Sequence, residues 1–122
     1  MTKISEIGFI AEGYVAQYLA SKGYRILAQN YKKPWGEIDL IVEKDEVLVF
    51  VEVKANTADI AGFEPETRAD REKMKKVVRT AQTYQTDKKI GSNQEWQVDI
   101  ISLVFDKNRG VAKIKHFKNV EI

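Results

Sequence analysis

Two strand-like runs, 37–43 and 47–54, flank the polar turn Lys44-Asp45-Glu46, and this hairpin constrains the fold more tightly than any other stretch. Side chains alternate faces along a strand. Glu37, Asp39, Ile41 and Glu43 therefore share one face of the first run, and Glu46, Leu48, Phe50, Glu52 and Lys54 share one face of the second. If the turn pairs Glu43 with Glu46 and Val42 with Val47, Glu37 lies opposite Glu52 and Asp39 opposite Phe50, so both charged sets look the same way. The reverse face is then Ile38, Leu40, Val42, Val47, Val49, Val51 and Val53, a core face without a polar residue. A register slipped by one would break it. Glu37, Asp39, Glu52 and Lys54 thus converge at one end of the hairpin.

Three carboxylates and one ammonium on a half-apolar face call for a counter-charge, because like charges paired across strands cost roughly a few tenths of a kcal/mol. A divalent cation would supply it. Magnesium takes one or two carboxylates, retained waters and phosphate oxygens. The diagonal neighbours Asp39 and Glu52 are expected roughly 7–8 Å apart at their α-carbons, and twist with flexible side chains could bring both to one ion. Lys54 would then point at an attacking water or a phosphate. The alternative is a surface ion-pair cluster in which Lys54 and a base from elsewhere neutralise the acids. Glu12, at the border of the first helix's apolar face, either leans over the sheet edge as a further ligand or lies in water. Lys73 has a similar border position on the second helix, where it either touches a phosphate or snorkels.

The rest of the chain surrounds the hairpin with helices and further strands. A first helix is expected over 5–21, with Ile4, Ile7, Ala11, Tyr14, Val15, Tyr18 and Leu19 at helical spacing and Lys22-Gly23 as its stop. Residues 24–27 read as a short strand and 29–36 as a loop broken by Pro34 and Gly36. After a loop over 55–67 with Gly62 and Pro65, a second helix over 68–85 carries Met74, Val77, Val78, Ala81 and Tyr84 on one face. Strands follow at 96–105 and 111–117, separated by a turn over 106–110. This order predicts an α/β or α+β layer structure, a single domain over 1–122 with a mixed central sheet.

The formal net charge of +2 hides a segregation. Residues 37–52 hold six acids against Lys44, a local charge of −5, whereas residues 68–89 hold eight bases against three acids, a local charge of +5. Lys107, Arg109, Lys113, Lys115 and Lys118 follow with no acid between them. Basic flanks around an acidic centre suit a phosphate-bearing polymer held over a metal site. Solvated helix faces and edge strands account for the same numbers. In the first view Arg71, Lys73, Lys76 and Arg79 of the second helix are the candidate phosphate contacts. With no cysteine and a single histidine, His116, thiolate and multi-histidine metal sites are excluded, so any metal must have oxygen ligands. His116, beside Phe117, reads as structural. No apolar run approaches the roughly 20 residues of a bilayer span, and Glu6 falls where a signal peptide would be apolar. A cytoplasmic location with no membrane partner is expected.

Gly36-Glu37-Ile38-Asp39-Leu40-Ile41 followed by Phe50-Val51-Glu52-Val53-Lys54 resembles the signature of the PD-(D/E)XK nuclease superfamily, with Ile38 in place of the usual proline. More narrowly, the chain resembles the YraN-type family of small bacterial proteins. That likeness also covers Gly8 and Glu12, Gly23-Tyr24-Arg25-Ile26-Leu27, Asn30-Tyr31, Lys73, Ala81, Tyr84 and Val98-Asp99-Ile100-Ile101. The resemblance implies a restriction-endonuclease-like α/β fold, a mixed central sheet flanked by two main helices. It implies Asp39 and Glu52 as magnesium ligands, with manganese as a substitute, and Lys54 near the nucleophile and scissile phosphate. Glu12 would match the first-helix acid of archaeal Holliday-junction resolvases, and Glu37 belongs to the family motif. The expected activity is a magnesium-dependent endonuclease that prefers branched, flapped or single-stranded DNA over a particular sequence. Related resolvases are dimers, and a homodimer would suit a junction. Two other readings stay open. One is a catalytically inactive nucleic-acid-binding module of the same fold, against which the intact Asp39, Glu52 and Lys54 argue. The other is a protein-interaction subunit using Trp35, Phe63 and Trp96.

Overall fold

Residues 4–57, 71–106 and 111–121 are described by a computed structural model. Their elements are α1 (Ile4–Ser21), β1 (Arg25–Lys33), β2 (Gly36–Lys44), β3 (Val47–Thr57), α2 (Arg71–Asp87), β4 (Trp96–Asp106) and β5 (Val111–Phe117). The hairpin β2–β3 is the middle of a five-stranded sheet in the order β1-β2-β3-β4-β5. β2 runs antiparallel to both β1 and β3, β3 and β4 run parallel, and β4 and β5 antiparallel. A parallel neighbour needs a long crossover, and α2 lies in it. The result is an α/β chain with a mixed sheet and two helices, of restriction-endonuclease-like architecture. No described helix is long and apolar enough to cross a membrane.

The hairpin register differs from expectation by two residues. Lys44 pairs with Val47, Glu43 with Leu48, Val42 with Val49 and Leu40 with Val51. The loop is therefore Asp45-Glu46 alone, and both residues have left-handed backbones, φ 52° and φ 66°. This is the backbone sign of a type I′ turn, whose twist matches that of the flanking strands. A shift of two leaves every side chain on its face, so the hydrophobic pattern could not detect it. Its consequence is that Glu37 no longer faces Glu52 and Asp39 no longer faces Phe50.

Both faces of the hairpin are covered. Leu40, Val42, Val49 and Val51 pack with Val15 and Leu19 of α1 and Ile101 of β4. Ile41, Leu48 and Phe50 pack with Met74, Val77, Ala81 and Tyr84 of α2. Ala11, Val15 and Leu19 of α1 are fully buried, but Tyr14 is half exposed with its edge against Phe105, and Phe9 and Ile10 are exposed. On α2 the buried stripe runs through Thr80 rather than Val78, because the Thr80 hydroxyl donates to the Lys76 carbonyl at 2.7 Å and needs no water. α1 ends as expected: Gly23 has φ 91°, and the Gly23 and Tyr24 amides bond back to Ala20 and Leu19, a Schellman closure.

The largest correction concerns 29–36. Most of that stretch belongs to β1, a nine-residue strand, and the connection to β2 shrinks to Pro34-Trp35. β1 lies at the edge of the sheet, and its apolar residues, Ile26, Leu27, Ala28 and Tyr31, are only partly buried. A register shift between Ile26 and Ala28 and a left-handed Asn30 (φ 52°) destroy the alternation that would have announced it. β3 likewise continues through residues expected to open a loop, to Thr57. The side chains of Ile4 and Ile7, the rest of the 55–67 loop with Gly62, Phe63 and Pro65, the helix start at Arg68, and residues 107–110 with Lys107 and Arg109 lie outside the described residues.

Replacing Asp45-Glu46 by Asn-Gly should raise stability by about 1 kcal/mol, since asparagine and glycine adopt positive φ at little cost. A higher thermal midpoint is the expected result. A lower one would contradict the two-residue turn and restore the looser pairing.

Candidate active site

The candidate site lies where β2 parts from β3. Their pairing stops at Leu40–Val51, while β3 goes on beside β4 as far as Thr57–Phe105. Residues two apart on a strand normally share a face, yet Ile38 packs on the α2 side and Leu40 on the α1 side. The alternation slips at Asp39. On the other neighbour, left-handed Asn30 falls between the pairs Gln29–Leu40 and Tyr31–Ile38, so both strands are distorted at one level. The Asp39 side chain bridges the opening: its Oδ2 accepts the Val53 amide at 2.8 Å, in place of a ladder bond.

This position sets the electrostatics. Burial pushes the Asp39 carboxyl up to about 7; the Val53 hydrogen bond opposes the rise, and the charges of Glu12, Glu52 and Glu37 add to it. Glu12, reaching over from α1, is also raised, first by burial and then by Glu37, against a hydrogen bond from Asn30 and the charge of Lys32. Four of the sequence-predicted acids therefore share one electrostatic neighbourhood. Among the described residues, however, no three acidic or histidine side chains form a set able to hold a metal ion. Asp39 and Glu52 form an oxygen-only donor pair in a place where negative charge is incompletely compensated. That fits a hydrated magnesium ion, which requires only one or two carboxylates. The structure does not assemble Glu12 with them as a third ligand.

An open groove of about 790 Å³ runs over these acids, lined by Glu37, Asp39, Glu52 and Glu72 and by Lys32, Lys33, Lys73 and Lys76. The β1–β2 turn forms one wall and α2 the other. The two walls meet at Gly36, where a Cβ would stand 2.6 Å from Thr80 Oγ1 and 3.2 Å from the Lys76 carbonyl, so glycine is what lets α2 approach this closely. Lys73 makes an ion pair with Glu52. Arg79 does not line the groove itself but stacks 4.1 Å from the ring centre of Trp35, which does. Lys54 is half buried on β3 and, like Arg71 and Glu12, is not among the residues lining the groove. Lys113 and Lys115 are on β5, across the sheet from the β1–β2 wall.

Sequence reasoning missed Lys32, Lys33 and the distortion at Asn30, and weighed Trp35 only as a protein contact. The signal available was a pair of lysines immediately before a Pro-Trp turn, and reading 29–36 as loop removed it from view. His116 takes no part in the groove. Its Nε2 lies 2.7 Å from Asp99 Oδ2 and its Nδ1 3.1 Å from the Tyr18 hydroxyl, which ties β5, β4 and α1 together. Burial alone would raise the Asp99 carboxyl. Hydrogen bonds from His116, the Asn119 amide and Gln97 outweigh it and hold the group below the usual range. Trp96 packs edge-on against Phe50 in the core, so it offers no exposed patch.

The mixed sheet, the flanking helices and the ordered Asp39, Glu52 and Lys54 on adjacent strands define a protein of the PD-(D/E)XK superfamily. The chain belongs to the uncharacterised protein family UPF0102, whose sequence profile matches residues 11–103. It is 37% identical over 112 residues to a UPF0102 protein of Fervidobacterium nodosum, covering 91% of this chain and 78% of that one. It is 36% identical over 113 residues to one of Pelotomaculum thermopropionicum, covering 93% and 92%. A third, from Persephonella marina, is 37% identical over 105 residues, with 86% of each covered.

The raised Asp39 carboxyl makes stability depend on pH in a definite direction. Between the ordinary value of 3.8 and about 7 the folded chain keeps a proton that the unfolded chain has lost. This contribution is complete below 3.8 and is lost as pH rises through about 7. Without metal, Asp39→Asn should therefore be more stable than wild type at pH 8, by about 1–2 kcal/mol, with the difference vanishing toward pH 4. Urea unfolding at both pH values in EDTA checks this. Equal stabilities at pH 8 would mean that the carboxylate is already compensated.

Proposed function

We propose that this protein is a metal-dependent phosphodiester hydrolase acting on DNA, selective for the shape of its substrate. The observation that carries the reading is a half-buried carboxylate, Asp39, in the charge field of Glu52 at the floor of a groove rimmed by Lys32, Lys33, Lys73 and Lys76. Asp39 and Glu52 would hold magnesium, or manganese in its place; bound there, the ion polarises the phosphate and activates water. Asp39 is oriented for this by the Val53 amide. Lys54, two residues beyond Glu52 on the same strand, would stabilise the charge that develops on the phosphate. Glu37 and Glu12 deepen the negative field that draws a cation in.

The groove lysines would hold backbone phosphates, so affinity should fall steeply with salt. Phosphate contacts carry no base information, and α2 faces the groove chiefly with the charged side chains Glu72, Lys73 and Lys76. Branched junctions, flaps and single strands are therefore the expected substrates. A second reading, a binding module without catalysis, draws on two observations: Glu52 is held by Lys73, and no three-ligand set is assembled among the described residues.

A panel of labelled single-stranded, duplex, flapped and four-way-junction DNA at low salt separates the two. With magnesium or manganese, wild type should cut at least one branched or single-stranded substrate, and EDTA should stop it. Asp39→Asn and Lys54→Ala should each lower the rate by on the order of 100-fold or more. Binding without cutting, unchanged by metal or by either substitution, would overturn the hydrolase and leave the binding module.

A further inference from the structure

Lys73 and Glu52 meet across the groove in an unequal pair. The Glu52 side chain is only 10% exposed and is fixed on β3, whose backbone pairs with Ile100 of β4 at this residue. The Lys73 side chain is 58% exposed and stands in the first turn of α2 on four flexible methylenes. Two other lysines near the groove pair with different acids. Lys33 is 3.1 Å from Asp87, and Lys75, on the solvent side of α2, is 3.5 Å from Glu72. Lys73 therefore brings positive charge to a carboxylate that the proposed function assigns to the metal.

We infer that Lys73 is an exchangeable counter-charge: it holds Glu52 while the site is metal-free and yields that carboxylate to the divalent cation. Ammonium and ion compete for one ligand. A buried carboxylate without a partner is costly, so a resident cation keeps Glu52 charged and in place before metal arrives. On exchange the ammonium stays in the groove, beside Lys32, Lys33 and Lys76, where the substrate phosphate would run. The displaced charge is then available to a phosphate at the moment the site becomes competent. This assignment rests on the metal-dependent reading of the same site and adds to it an order of events.

The test is Mn²⁺ titration of the EDTA-stripped full chain by calorimetry, without DNA, for wild type, Lys73→Gln, Lys73→Arg and Lys75→Gln. Lys73→Gln removes the competitor and should bind Mn²⁺ about fivefold more tightly. Lys73→Arg keeps the charge, and Lys75→Gln removes a lysine that does not face the site; both should stay within about twofold of wild type. Thermal unfolding gives a second readout. Lys73→Gln should melt below wild type in EDTA, and saturating Mn²⁺ should close the gap, because the ion replaces the ammonium. Equal or weaker Mn²⁺ binding by Lys73→Gln, or the same gain in Lys75→Gln, would overturn the assignment while leaving metal binding intact. If no variant and no wild type binds Mn²⁺, the assignment and the metal-dependent function fall together.

Discussion

The bond from the Val53 amide to the Asp39 carboxylate is the constraint on which the site depends. Where β2 leaves β3, the β3 backbone loses its partner on that side, and an unbonded buried amide would cost free energy comparable to a lost hydrogen bond. A side-chain carboxylate makes good the loss. It thereby becomes fixed and half-buried, and the loss of water around it pushes the carboxyl pKa up to about 7. Backbone satisfaction, burial and unbalanced charge are thus consequences of a single divergence between two strands. A neutral side chain such as leucine at 39 could fill the space but could not accept the amide.

The same divergence creates the space above the acids. β2 remains paired with β1 down to Lys33–Gly36, while β3 remains paired with β4 out to Thr57. The two halves of the sheet separate as a fork, and α2 closes over it because Gly36 offers no Cβ to hold it off. The short Pro34-Trp35 turn then stands against α2, with Arg79 laid over the Trp35 ring. A cation on an aromatic face is worth about 0.5–1 kcal/mol at an exposed site, and here it links the groove's two walls.

How much of this was legible depended on what each signal encodes. Of the four residues expected to converge, Glu37, Asp39 and Glu52 line the groove and Lys54 does not; the period-2 assignment of faces slips at Asp39, with Ile38 on the α2 side and Leu40 on the α1 side. Register is invisible to that pattern when the error is two residues, so the pairing came out wrong. β1 was recognised only over its apolar start, Ile26 and Leu27; beyond the register shift and the left-handed Asn30 it offers no alternation. Lys32 and Lys33 were lost with that second half, and Trp35 was weighed only as a protein contact. Thr80 was passed over as core because its hydroxyl is satisfied within its own helix, which a hydropathy pattern cannot register. Charge counting pointed to the helix that walls the groove, but not to which of its bases reach it: among the described bases of 68–89 only Lys73 and Lys76 line the groove, while Lys113 and Lys115 on β5 belong to another edge.

The hydrolase and binding-module readings share this fork, its lysines and its half-buried aspartate. They part over the carboxylate of Glu52. If its partnership with Lys73 is permanent, the groove floor is a neutralised pair beside one protonatable acid, and the rim can still hold phosphates through charge alone. If the partnership is exchangeable, Asp39 and Glu52 become a joint oxygen site, and the released ammonium adds to the field that holds the substrate. The chain's own geometry leans toward exchange, since a mostly exposed lysine on a flexible stem is the mobile member and a strand-fixed, mostly buried glutamate is the stationary one. A permanent structural pair would be better served by two buried side chains, as Asp99 and His116 are in the same sheet, each almost fully buried.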